Sequence, residues 1–230
     1  MDIGHAEIAT ITEGENMNSL NVWWWRKPGL HNFGDELGWH ILKKMGHKIN
    51  RVALANADLI TSGTILDMAD KRAKDGCTIW GSGIGWEHDI MNRFNVIALR
   101  GKISATSLGF DGVLGDPGLL VSRFWPKQPT KYGVGVVRHY VDKREFPWAD
   151  IVIDATEPVN QVIDKISSCA TICSSSLHGL IVADSFGIPT MRLDHPEVIS
   201  GDIKWSDYQS ALSKPITQIQ DELLMALQHP

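Results

Sequence analysis

No apolar stretch of this 230-residue chain approaches the roughly 20 residues that a membrane-spanning helix needs, so no span is expected. The first twenty residues lack the basic start and apolar centre of a secretion signal, which makes the cytoplasm the expected compartment. A basic excess is missing as well. With 22 Lys and Arg against 27 Asp and Glu, the formal charge is −5 and the cations are scattered among acids. That balance argues against a nucleic-acid partner and requires any anionic ligand to be gripped locally. Cysteine is scarce: Cys77, Cys169 and Cys173 form an odd set without metal-ligand spacing and read as buried thiols. There is no internal repeat and no low-complexity segment. The turn Gly81 to Gly85 lacks both the third glycine of a dinucleotide fingerprint and the lysine of a P-loop, so neither nucleotide class is indicated by it.

What is present is an ordinary globular composition, 43% hydrophobic and 21% charged, enough for one large core or two modest ones. Residues 1–18 read as a loosely held leader. The strand Asn21 to Trp25 and the helix Gly34 to Met45, with Leu37, Ile41, Leu42 and Met45 on one face, open the fold. Short apolar strands at 58–61, 77–80 and 95–99 each end in a glycine-bearing turn. Residues 126–131 are polar and carry two prolines, a linker pattern. The alternation then restarts with strands at 132–137, 151–153, 170–173 and 190–193 around helices near 158–168 and after Leu177. Strands of four to six apolar residues alternating with helices pair in parallel through crossovers. The expected class is therefore α/β, with mainly parallel sheets in two Rossmann-like halves. Residues 19–125 form the first half and 132–230 the second, and a ligand cleft lies where the strand ends face each other.

Within that frame one stretch concentrates chemistry. Ser174-Ser175-Ser176-Leu177-His178-Gly179 lies between an apolar strand and an apolar helix, so it places three hydroxyls, one imidazole and unpaired helix-start amides together. Such a turn is suited to an anion; it also suits a plain N-cap. Other strand-end turns supply Asn32 to Asp35, Ser82 with Gly83, Asp116, and His139. Arg100 stands at a strand end, where its planar fork can grip a carboxylate or phosphate or form a structural salt bridge.

The ordered set Asn32-Phe33-Gly34-Asp35-Glu36-Leu37, Gly81-Ser82-Gly83, Leu99-Arg100-Gly101, Gly115-Asp116-Pro117, His139-Tyr140-Val141-Asp142 and Ser174 to Gly179 resembles the polysaccharide pyruvyl transferase family over roughly residues 20–210. Ile203-Lys204-Trp205-Ser206-Asp207-Tyr208 is similar to the Lys-Phe-x-Asp-Tyr segment of its exopolysaccharide ketal-pyruvyltransferase branch. The resemblance implies a two-domain fold like that of GT-B glycosyltransferases and transfer of pyruvate from phosphoenolpyruvate to a sugar as a cyclic ketal.

On that basis His178 and Asp35 are the catalytic candidates, and Asn32, Ser82, Gly83, Arg100, Asp116, His139, Ser174, Ser175, Ser176, Leu177 and Gly179 the substrate-binding ones. For Asp35 and Asp116 helix capping is the competing role. The second half would hold the donor, with the phosphate at the Ser174 to Gly179 helix start and Arg100 as the cation. No metal or redox cofactor is expected. The acceptor implied is a sugar of a polysaccharide or of a lipid-linked oligosaccharide. A lipid-linked acceptor would bring the protein to the inner face of the membrane, for which the amphipathic final helix, Ile216 to Leu227, offers a face; packing across the halves is its other use. Trp86 or Trp205 could stack on a sugar. The chain is shorter than this resemblance leads one to expect, which points to a reduced acceptor site or to lost activity. The alternatives are a GT-B-type glycosyltransferase using a nucleotide sugar and a non-catalytic sugar- or phosphate-binding relative.

Overall fold

The structure is a computed structural model, and it describes residues 19–198 and 201–228; the expected leader lies outside them. The first half runs β1 (Leu20–Trp23), α1 (Phe33–Lys44), β2 (Ile49–Arg51), β3 (Leu59–Ile60), α2 (Leu66–Arg72), β4 (Thr78–Trp80), β5 (Asn95–Leu99), α3 (Lys102–Leu108) and β6 (Val113–Leu114). A 3₁₀ turn at Pro117–Leu120 and the short α4 (Val121–Phe124) lead through residues 126–131, which form no helix or strand, to the second half. There follow β7 (Tyr132–Arg138), β8 (Ile151–Asp154), α5 (Val159–Ser167), β9 (Cys169–Ser174), α6 (Leu177–Ser185) and β10 (Thr190–Arg192), then α7 (Ile203–Ala211) and α8 (Ile216–Gln228).

The class is α/β, as expected. Two parallel sheets form, of six strands in the order β2-β1-β3-β4-β5-β6 and of four in the order β10-β9-β7-β8. Their inner strands are short apolar runs because helices cover both faces. α1 forms where its sequence signals converge. Asn32 is extended and its side chain accepts the Gly34 N–H at 3.2 Å, while Asp35 and Glu36 sit in the first turn and Lys43 and Lys44 in the last, each complementing the helix dipole. Its Phe33, Leu37, Ile41 and Leu42 are fully buried in a core that also contains Val137, Ile153, Leu177 and Ile181 from the second half. One apolar core thus runs through both halves, and the Phe33 N–H donates to the carbonyl of Ala155 across them at 2.9 Å. A second cluster, including Ile60, Leu66, Ile79 and Leu99, fills the other face of the six-stranded sheet.

The last two helices pack on the first half. α8 lies against β5 and β6, burying Ile219 and Leu223, and Trp80 donates its indole N–H to the Leu223 carbonyl at 3.1 Å. The apolar face of α8 is therefore consumed internally, the packing use of the two that its amphipathicity allowed. α7 lies against α3 so closely that a Cβ on Gly101 would stand 1.7 Å from the carbonyl oxygen of Asp207. Cys77, Cys169 and Cys173 are free and buried. Among the described residues no helix is long and apolar enough to cross a membrane.

Candidate active site at two facing switch points

In an open parallel sheet, loops diverge at the carboxyl ends of neighbouring strands whose connections run in opposite directions, and a crevice opens there. The six-stranded sheet reverses between β1 and β3, and the four-stranded sheet between β7 and β9. Residues following these four strands, Trp25, Thr64, His139 with Tyr140, and Ser176 to His178, all border one open cleft of about 230 Å³. Asn32 and Asp35 from the start of α1, Asp67 from α2 and Lys204 from α7 add polar groups to its wall. The two reversals thus face one site, as the alternation of strands and helices led us to expect.

His178 occupies the first turn of α6 and is wedged against α1. A Cβ on Gly34 would stand 2.3 Å from its Nδ1, and the Phe33 ring meets the imidazole edge-on at 6.5 Å between centroids. Its Nε2 faces Asp116 Oδ2 at 3.5 Å, and both atoms are buried without a hydrogen-bond partner among the described residues. The other Asp116 oxygen accepts the Gly118 N–H at 2.8 Å, so this carboxylate caps the 3₁₀ turn and orients His178 from behind.

Asp35 accepts from the side-chain amide of Asn32 at 2.6 Å. Burial raises its pKa from 3.8 to about 6, against the opposing pull of His178 and Lys204. His139 is held neutral, its pKa lowered to about 4 by burial and then by Lys204. Its ring lies on Tyr140 at 4.4 Å, and Tyr140 stacks on Trp25 at 6.2 Å, so an aromatic wall crosses from the second half to the first. Trp86 borders the mouth and is 57% exposed, whereas Trp205 is buried under the Arg192 guanidinium and borders no part of this cleft. Lys204 is 6% exposed, and burial, with a contribution from Arg100, lowers its pKa to about 8.

Several residues expected to touch substrate are turned inward. Arg100 is fully buried: its Nε donates to Asp207 Oδ2 at 2.9 Å, and its two terminal nitrogens donate to Thr64 Oγ1 at 2.7 Å and the Ile84 carbonyl at 2.8 Å. It is the structural salt bridge of the two roles the sequence allowed. Gly83 is small because a Cβ there would meet that guanidinium at 2.2 Å, and Ser82 donates to the Thr61 carbonyl. Ser174 Oγ lies within hydrogen-bond distance of the carbonyls of Val137 and Ser176, to one of which its single proton goes, and accepts the Ser176 N–H; Ser175 Oγ donates to Asp142 at 2.7 Å while accepting the His139 N–H. Gly179 gives room to Ser174 and Val137. Of the serine run, Ser176 alone borders the cleft, beside Leu177 and His178. The hydroxyls of Ser174 and Ser175 thus build the turn. Lys204, Trp25 and Tyr140 were not singled out as site residues, although Lys204 and Tyr140 lie within the motifs that carried the resemblance.

The family model for polysaccharide pyruvyl transferase matches residues 32–196, which includes the cleft residues from Asn32 to His178 and leaves out Trp25 and Lys204. The chain belongs to the polysaccharide pyruvyl transferase family. Within that family it is 26% identical over 199 residues to the succinoglycan biosynthesis protein ExoV of Rhizobium meliloti (strain 1021), covering 79% of this chain and 61% of that protein. It is also 34% identical over 137 residues to the uncharacterized protein L143 of Acanthamoeba polyphaga mimivirus, covering 54% of this chain and 47% of that one. The chain thus matches about half to three-fifths of the length of these relatives.

Proposed function

We propose that this protein transfers pyruvate from phosphoenolpyruvate to a sugar of a polysaccharide, or of its lipid-linked precursor, forming a cyclic ketal and releasing phosphate. The observation that carries the reading is the convergence, in a cleft made by two switch points of a pyruvyl transferase family fold, of a helix-start imidazole and a carboxyl titrating near neutrality. A cleft of about 230 Å³ is small beside pockets for large ligands and suits a three-carbon donor, with the acceptor approaching over Trp86 and the aromatic wall.

The donor phosphate lies at the α6 start, where the first amides have no intrahelical partner and the dipole favours an anion. Nε2 of His178 is turned to Asp116, and Nδ1 is the ring nitrogen left to meet the donor. His178 gives its proton to the methylene carbon of the donor, and the electron pair of the C=C bond forms that C–H bond. The adjacent carbon becomes an oxocarbenium-like electrophile. A sugar hydroxyl adds to it and loses its proton to Asp35, which at about pH 6 and above is available as a base. The C–O bond to phosphate then breaks, its electron pair leaving with the phosphate, and a second hydroxyl of the same sugar adds to the carbon and returns its proton to His178, closing the ketal. Fixed donors at the helix start stabilise the charge growing on the departing phosphate.

The test is thermal stabilisation by millimolar phosphoenolpyruvate in the intact chain and in His178→Gln. A rise in Tm in the intact chain that shrinks in the variant is the expected result. A folded intact chain that ignores phosphoenolpyruvate and responds to nucleotide sugars would overturn the reading in favour of glycosyl transfer.

A further inference from the structure

Phosphoenolpyruvate carries two anionic groups, and the α6 start accounts for one. The cation expected for the other, Arg100, is spent: each of its nitrogens donates within the protein and none of its surface is exposed. Among the described residues Lys204 is the lone lysine or arginine bordering the cleft. It is 94% buried, since 6% of its surface is exposed, and it interacts with its charged neighbours Asp35, Arg100 and Arg192 only at a distance, without a hydrogen bond to any of them. The Trp205 ring, 5.7 Å from its Nζ, offers a cation–π contact but no counter-charge. Burying a cation without an anion in contact is costly, and a group kept in that state is one whose counter-charge comes from elsewhere.

Its position is also fixed with unusual care. One turn further along α7, Asp207 accepts from Arg100 Nε, from the Ser104 N–H at 2.9 Å and from Ser104 Oγ at 2.6 Å. Tyr208 donates to Asp184 of α6 at 2.7 Å. α7 is thereby pinned to α3 of the first half and to α6 of the second, and Lys204 projects into the cleft from a helix that cannot drift. Arg100, read from the sequence as a ligand to substrate, instead helps to hold the helix that presents the cation.

We infer that the Lys204 ammonium binds the carboxylate of the donor, opposite the helix start that receives its phosphate. This assignment rests on the pyruvyl-transfer reading. It makes Lys204 a specificity residue: it distinguishes a donor with a carboxylate from a phosphoenol lacking one.

The experiment compares the binding of phosphoenolpyruvate and of vinyl phosphate, the same phosphoenol without the carboxylate, by calorimetric titration of the intact chain and of Lys204→Met. The intact chain should prefer phosphoenolpyruvate by ~10- to 100-fold, the scale of one charge-assisted hydrogen bond, and Lys204→Met should bind the two about equally. The ligand-free Tm of Lys204→Met should be unchanged or higher, because the variant removes an unpaired buried charge. A preference that survives in Lys204→Met overturns the assignment and leaves pyruvyl transfer standing, as does a variant that unfolds, since Lys204 would then be a structural partner. An intact chain that is folded but binds neither compound refutes the donor reading itself, and the carboxylate assignment falls with it.

Discussion

Replacing Arg100 by alanine should cost this protein its stability rather than simply its donor. The guanidinium and the Asp207 carboxylate are both fully buried, their Nε to Oδ2 distance is 2.9 Å, and the remaining donors of Arg100 satisfy Thr64 and the Ile84 carbonyl. Truncation leaves the Asp207 carboxylate buried with only the two donors of Ser104. Removing one partner of a buried pair costs about 3–5 kcal/mol, because the stranded charge keeps its desolvation penalty and loses its counter-charge. At roughly 2–4 °C per kcal/mol for a chain of this size, Tm should fall by roughly 6–20 °C. Urea denaturation followed by tryptophan fluorescence gives the same quantity independently, as a lower midpoint at unchanged slope. The double variant Arg100→Leu with Asp207→Leu removes both charges and should recover much of the loss, which a double-mutant cycle reads as strong coupling. An Arg100→Ala protein with a normal melting point that has lost its response to phosphoenolpyruvate would refute this account, for Arg100 would then face the ligand and not α7.

Asp35 should make stability depend on pH in the sense opposite to an ordinary surface carboxylate. Its folded pKa of about 6 lies above the usual 3.8, so ionisation opposes folding: stability is lost as pH rises between those values and stays lost above them. Asp35→Asn should therefore be more stable than the intact chain at pH 8, by up to about 3 kcal/mol, and no more stable at pH 3, while turnover falls ~10²- to 10⁴-fold. Melting curves at the two pH values check the sign, and an equal effect at both would refute it. Gly34→Ala places a methyl 2.3 Å from His178 Nδ1, so the imidazole must turn out of its seat. Better helix propensity partly offsets an overpacking cost of about 1–3 kcal/mol, so the variant should fold, somewhat destabilised, while phosphate release collapses. Undiminished release would remove Nδ1 of His178 from the proton path.

The alternation of short apolar strands with capped helices determined the class, the restart after residue 131 and the position of turns at the strand ends. These are local quantities: periodicity, cap residues and glycine turns act within a few residues of themselves. β2 and β6 escaped because Asn50 and Arg51 on an edge strand are exposed and β6 is only two residues long, so neither carries an apolar run. Which polar side chains face the cleft is a different kind of question, answered by partners remote in sequence. A strand-end arginine before a glycine reads identically whether it grips a ligand or, as here, an aspartate 107 residues away. The serine run likewise reads the same whether its hydroxyls point outward or, through Val137 and Asp142, hold two strand ends together. Only the return of α7 to α3 puts Lys204 in the cleft and Arg100 behind it, because that packing depends on the whole core beneath and not on the segment 203–211 itself.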